Sequence, residues 1–260
     1  MSDRVSAAGP LTTRIFQYLL TELPADARLL EAVVGLHWTA VAVEVNGRRQ
    51  CGLASTILGE HAHGERQNVR WAGDIQTHSV HDLANLIWSD SPTERSLGLA
   101  TINACMNRTR SFQKRINAGS LLADKAAGHQ AALIGHFPFI EEIRESAQEL
   151  FVFELEPSPG EYPPERAEDL LPQCQAVGIT SMTLLNRSLA GLMDHISANA
   201  FVLLIGPSTP LSEGMFQFGI DALAGTVVQR IPPVLRAIRQ GANYRQIHRI
   251  GTDLVILEPG

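Results

Sequence analysis

From Ala131 to the C-terminus, short apolar runs recur, bounded by turn signals, with residues at helical spacing between most of them. The runs are Ala131–Phe137, Leu150–Leu155, Gly178–Leu185, Phe201–Ile205, Gly219–Val228 and Leu254–Leu257. Helical patterns lie between them at Pro138–Gln148, Glu168–Gln175, Leu189–Ile196 and Pro232–Gln240, the last followed by Gly241 at the C′ position. Strands that alternate with helices predict a parallel, doubly wound α/β sheet, because a parallel pair needs a crossover and a helix is the usual one. In such a sheet ligands bind beyond the carboxyl ends of the strands. The run Phe201–Ile205 stops at Gly206-Pro207 and continues as Ser208-Thr209-Pro210, where Thr209 as N-cap and Pro210 at the first helical position predict a strand, a turn and a helix N-terminus. The same residues equally suit a connection that serves geometry alone.

The first half reads differently. Thr12–Leu23 has helical spacing and ends before Pro24; Val33–Val45 has strand composition and leads into Asn46-Gly47, a strong hairpin signal, so Gln50–Ile57 is the expected return strand. Leu58–Val80 turns polar and His-rich and predicts a long loop. Val80–Trp88 predicts a short helix, and Ser91-Pro92-Thr93-Glu94 the start of a longer one whose small residues imply close packing. Asn107–Lys125 is polar and is expected to link the halves.

Composition removes several function classes. A net charge of −6 in 260 residues argues against nucleic-acid binding. No apolar run reaches membrane-spanning length, and MSDRVSAAGP lacks a signal-peptide core. Cys51, Cys105 and Cys174 form neither a CxxC pair nor an even disulfide framework, which suits a reducing cytoplasm. Ile134-Gly135-His136-Phe137-Pro138 is not a GxGxxG turn, no GxxxxGK[ST] occurs, and Gly206-Pro207-Ser208 lacks the glycine of a hydrolase elbow. Imidazoles remain as metal-ligand candidates: His61 and His63 share one face of an extended segment, and His78 and His81 one face of a helical turn. Solvated histidines in a polar loop explain the same pattern. Asn186, beside Arg187, falls where the third strand of the second half is expected to end.

Gly206-Pro-Ser-Thr-Pro210 and Gly219-Ile-Asp-x-Leu-Ala-Gly225-Thr-Val-Val resemble the family called the putative heavy-metal chelation domain. Gly135-His-Phe-Pro138, Glu154-x-x-Pro157 and Thr183-Leu-Leu-Asn186 fit the same pattern in the same order. Upstream, Gly52-Leu-Ala, Ser91-Pro92 and Glu94-Arg95-Ser-Leu-Gly98-x-Ala-Thr-Ile-Asn103-Ala resemble its companion domain of unknown function, which has an enolase-N-terminal-like fold. The resemblance implies an enolase-N-terminal-like α+β domain, residues 1–115, followed by a Rossmann-like parallel α/β domain, residues 116–260. It also implies a shared interdomain cleft and a role in handling a heavy metal or a metal-chelating compound. By position in the family pattern, Glu94, Arg95, Asn103, Gly135, Phe137, Glu154, Asn186 and Ser208 become cleft residues, with Gly206, Pro207 and Thr209 beside Ser208.

Two readings stay open at this point. In the first, a cytoplasmic protein binds a small polar or metal-bearing ligand, a transition-metal ion or a metal chelate, in the cleft. In the second, an enzyme acts on a small anionic metabolite or nucleotide-like substrate, with Glu94 or Glu154 transferring a proton and Arg95 clamping the anion. A homodimer is the expected assembly.

Overall fold

A computed structural model describes residues 9–58, 69–106 and 117–260. His61 and His63 lie outside the described residues. Helix α1, Leu11–Thr21, precedes three antiparallel strands: β1 Arg28–Val34, β2 Trp38–Val45 and β3 Arg48–Ser55. The segment expected to be one strand from Val33 is therefore two, because the chain reverses at 35–37 and Gly35 N–H bonds the Trp38 carbonyl at 2.9 Å. Asn46 and Gly47 both take positive φ, 50° and 70°, as a primed hairpin turn requires.

Helix α2, Val80–Ala84, runs into a 3₁₀ turn at Asn85–Trp88, and α3, Pro92–Met106, follows. Residues 96–106 of α3 are buried without a break, which a helix tolerates only when several elements cover it. The sheet covers one side, and small residues bring the backbones together. A Cβ on Gly52 would lie 2.1 Å from Ala104 N and 2.2 Å from the Ala100 carbonyl oxygen, so β3 meets α3 at a distance only glycine permits.

The expected linker contains a helix. Asn117 caps α4, Ala118–Ala126, with its side-chain Oδ1 accepting from Ser120 N–H at 2.8 Å. Its apolar side, Leu121 and Leu122, is buried on the second sheet, which is why a segment polar on average is ordered. That sheet contains β4 Gln130–Ile134, β5 Glu149–Phe153, β6 Ala176–Thr180, β7 Phe201–Ile205, β8 Ala222–Val228 and β9 Thr252–Leu257, in the spatial order β5-β4-β6-β7-β8-β9. All neighbours are parallel except β8 and β9. Successive residues of a strand join opposite layers: Leu203 and Ile205 pack with α4 and with α5, Ile140–Ser146, whereas Val202 and Leu204 join the core that includes α3. Burial on both faces turns the alternation into continuous apolar runs.

Past β5 come α6, Ala167–Leu170, then after β6 α7, Met182–Leu185, and α8, Leu189–His195; past β8 come α9, Ile231–Arg239, and α10, Tyr244–Gly251. Two expectations fail here. The strand expected through Leu185 stops at Thr180, and the Thr183 hydroxyl turns back to the Thr180 carbonyl at 2.7 Å to begin α7. No helix starts at Pro210: residues 208–212 are buried irregular chain, and a 3₁₀ turn begins only at Glu213. Leu211 packs into the space that Gly225 leaves open, so tertiary contact outweighs the local capping signal.

Candidate functional site

The sheet order reverses once. From β4 the chain goes to β5 on one side, then crosses to β6 on the other, so the carboxyl ends of β4 and β6 diverge and open a crevice. A cavity of about 400 Å³ occupies that place. Gly135 and His136 enter it from β4, Glu154 and Leu155 from β5, Thr180 and Thr183 from β6 and α7. Asn186 and Ser188, in the turn between α7 and α8, close the polar side, while Phe153, Met182 and Leu192 supply apolar wall. Gly135 has φ 102°, and a Cβ there would sit 3.1 Å from Thr180 Cβ; bare backbone is what leaves the mouth open. Asn186 Oδ1 accepts from Ser188 N–H at 3.0 Å and from Ser188 Oγ at 2.7 Å, which holds that turn.

Gly135, Glu154 and Asn186, three residues expected from the sequence, thus meet in one cavity. Phe137 stands next door: it stacks on Phe139 with ring centroids 5.2 Å apart and lines a neighbouring hollow with His136 and Glu161. Thr180, Ser188 and the apolar wall were not singled out by the sequence, although Thr180 directly ends an apolar run and Thr183 opens the Thr183-Leu-Leu-Asn186 motif.

The Gly206–Thr209 turn sits elsewhere, at the joint between the two sheets. Ser208 is buried, and its Oγ accepts the Ser55 N–H at 2.8 Å. Asn103, also buried, donates through Nδ2 to the Leu53 carbonyl at 2.8 Å and the Ser208 carbonyl at 3.0 Å. Thr209 is buried as well and its N–H bonds the Gly206 carbonyl at 3.0 Å, while Gly206 and Pro207 are half-buried. These groups tie β3 and α3 to the end of β7.

Glu94 and Arg95 form a second polar node. Glu94 is buried; its carboxylate accepts from Arg70 N–H at 2.6 Å and from Ser89 Oγ at 2.5 Å. Arg95 donates to three carbonyl oxygens, those of Leu185 at 2.9 Å, Ser89 at 3.1 Å and Asp90 at 3.0 Å. Burial, and after it the Arg187 guanidinium, lower the Arg95 pKa from its ordinary value, against the opposing charge of Asp90. The Arg95 bond to Leu185 fixes the residue before Asn186, so Arg95 positions one wall of the crevice from outside it.

The family model described as "Putative heavy-metal chelation" under the name DUF364 matches residues 117–256, more than half of the chain. The chain belongs to the DUF364 family. A second model with the same description, DUF4213, matches residues 16–106. An uncharacterised protein of Methanocaldococcus jannaschii is 28% identical over 218 residues, which is 81% of this chain and 82% of that one. Two crystal structures of DUF364-family proteins with unknown function share the fold. The one from Desulfitobacterium hafniense DCB-2 has a TM-score of 0.78 at 24% identity over 95% of this chain and 98% of that one. The one from Pyrococcus horikoshii has a TM-score of 0.79 at 21% identity over 96% and 100%.

The family description raises the question of a metal. Among the described residues no group of three or more His, Cys, Asp or Glu could hold an ion. The His78 ring stacks on Trp71 at 3.9 Å, and His81 stands exposed on α2. The cysteines are buried, and burial pushes the Cys51 and Cys174 thiols up to about 12, away from the thiolate form a metal needs. The described residues do not fit a metal held by protein side chains. No described helix is long and apolar enough to cross a membrane.

Proposed function

We propose that this protein binds a small organic ligand with an apolar face and a polar edge in the crevice between the carboxyl ends of β4 and β6. A heavy metal then arrives as cargo inside such a ligand, as a chelate. The observation that carries this reading is the convergence of Glu154, Thr180, Thr183 and Asn186 on one mostly apolar cavity at the point where strand order reverses. The absence of a three-residue metal-ligand group among the described residues supports a chelate over a bare ion. We read residues 1–115 as the enolase-N-terminal-like unit, built on the three-stranded sheet and α3, and residues 116–260 as the Rossmann-like unit. In this reading the joint at Ser208 and Asn103 is framework for the crevice. Should the ligand be a substrate, Glu154 is the carboxylate placed to move a proton, since the oxygens of Glu94 already serve Arg70 and Ser89.

Equilibrium dialysis of the full chain against nickel chloride and against nickel phenanthroline, followed by elemental analysis, tests the proposal. Retention of the chelate by the wild-type chain and its loss in Leu192→Trp, which fills the cavity, supports it. Failure to retain the chelate, or equal retention by the variant, overturns it.

A further inference from the structure

The residues lining the crevice between β4 and β6 include two that can carry charge, Glu154 and His136, and no lysine or arginine. The His136 imidazole already faces a carboxylate: its Nε2 stands 3.6 Å from Glu161, which is largely buried and accepts the Ser158 N–H at 2.8 Å. Glu154 has no such counterpart. One of its oxygens accepts the N–H of the adjoining Leu155 at 3.3 Å, and among the described residues no cationic group stands at ion-pair distance from it. The arginines on the surrounding elements are engaged elsewhere. Arg144 pairs with Glu141 at 3.6 Å and Arg166 with Asp169 at 3.3 Å, while Arg187 turns away to the Trp88 and Ser89 carbonyl oxygens.

The neutral polar groups of the crevice leave that imbalance standing, because they serve one another. The Thr183 hydroxyl donates to the Thr180 carbonyl at 2.7 Å, and both Ser188 bonds fall on Asn186 Oδ1. Backbone contacts hold Glu154 in place. Its N–H donates to the Tyr162 carbonyl at 3.0 Å, and the Tyr162 N–H donates to the Val152 carbonyl at 2.7 Å, which pins residue 154 to the end of β5. Glu154 is half-buried, and Phe153, Met182 and Leu192 make the adjoining wall apolar. A fixed carboxylate at the rim of an apolar cavity attracts a cation more strongly as water leaves, and repels an anion.

We infer that the crevice selects a cation, an apolar body whose positive charge lies against Glu154, and that Glu154 sets this specificity. The inference rests on the crevice being the ligand site. It narrows the metal cargo as well. A chelate built from neutral nitrogen donors keeps the positive charge of its metal and is admitted, whereas a chelate built from several carboxylates is anionic and is turned away.

Isothermal titration calorimetry of the full chain at pH 8 tests it with three probes of one shape: N-methylquinolinium, neutral quinoline and anionic quinoline-6-carboxylate. N-methylquinolinium is expected to bind one site per chain about fivefold or more tighter than quinoline, and the carboxylate more weakly than quinoline. The advantage of the cation shrinks as sodium chloride is raised. It falls below about twofold in Glu154→Gln, which keeps the side-chain shape and removes the charge. Asn186→Asp keeps an acceptor for Ser188, adds a negative charge to the wall and widens the advantage. Nickel phenanthroline, a cation, displaces N-methylquinolinium, and nickel citrate, an anion, does not. Equal binding of N-methylquinolinium and quinoline, each lost in Leu192→Trp, overturns the inference and leaves the crevice reading intact. An advantage that survives Glu154→Gln, or displacement by nickel citrate, overturns it too. Binding by none of the three probes overturns both.

Discussion

Asn103→Ala separates a framework role from a ligand-binding role at the joint between the two sheets. The Asn103 amide gives both donors to buried carbonyl oxygens, those of Leu53 and Ser208, which are on opposite sides of the joint. Each acceptor left dry without a donor costs about 1–3 kcal/mol. Loss of the amide volume adds about 1 kcal/mol of cavity, and removal of Oδ1, which has no partner, returns a similar amount. The net expectation is about 2–6 kcal/mol of destabilisation. At roughly 2–4 °C per kcal/mol for a chain of this size, the melting temperature drops by about 4–24 °C. Asn103→Asp is the control: it keeps the shape but turns an acceptor toward two acceptors and buries a charge, so it is expected to be worse than alanine. Urea unfolding followed by circular dichroism, with a thermal melt, reads both variants. Wild-type stability in Asn103→Ala together with lost ligand binding would refute the framework role.

Gly52→Ala pushes a methyl group into the Ala100–Ala104 backbone of α3, and because neither backbone can yield, a loss of about 3 kcal/mol or more is expected; an unshifted melting temperature would contradict the close-approach argument. The Cys51 thiol gives a pH dependence. Its folded pKa of about 12 lies above the ordinary 9.0, so the folded state holds its proton while the unfolded chain ionises; the contribution is intact below pH 9 and is lost as pH rises toward 12. At pH 10 that is roughly 1 kcal/mol, and Cys51→Ala is expected to lose that much less stability than wild type between pH 8 and pH 10 in urea titrations.

Features set by a few neighbouring residues could be read directly from the chain. Asn46-Gly47 specified its turn because two consecutive positive φ values suit few residue pairs. Ser91-Pro92 announced α3, and the apolar runs announced β4 to β8, because burial on both faces leaves an unbroken apolar signature. The end of β6 was not readable: Thr180 and Ser181 look like strand residues until the Thr183 hydroxyl bonds the Thr180 carbonyl and turns the chain. Nor was Pro210, where a sound capping pattern was overruled by the burial of Leu211 against Gly225.

The site divides along the same line. By itself the sequence placed Gly135, Glu154 and Asn186 at or near the ends of apolar runs, which puts them toward the same edge of any parallel sheet. Only the tertiary structure decided which strand ends sit beside the reversal in strand order, because that depends on the crossover from β5 past β4 to β6. It also decided that Ser208, Asn103, Glu94 and Arg95 bond backbone across the molecule, through pairs as far apart in the chain as Ser55 and Ser208. Polar side chains of the same type cap, clamp or bind ligands, and the difference is made by which partners the fold brings within about 3 Å.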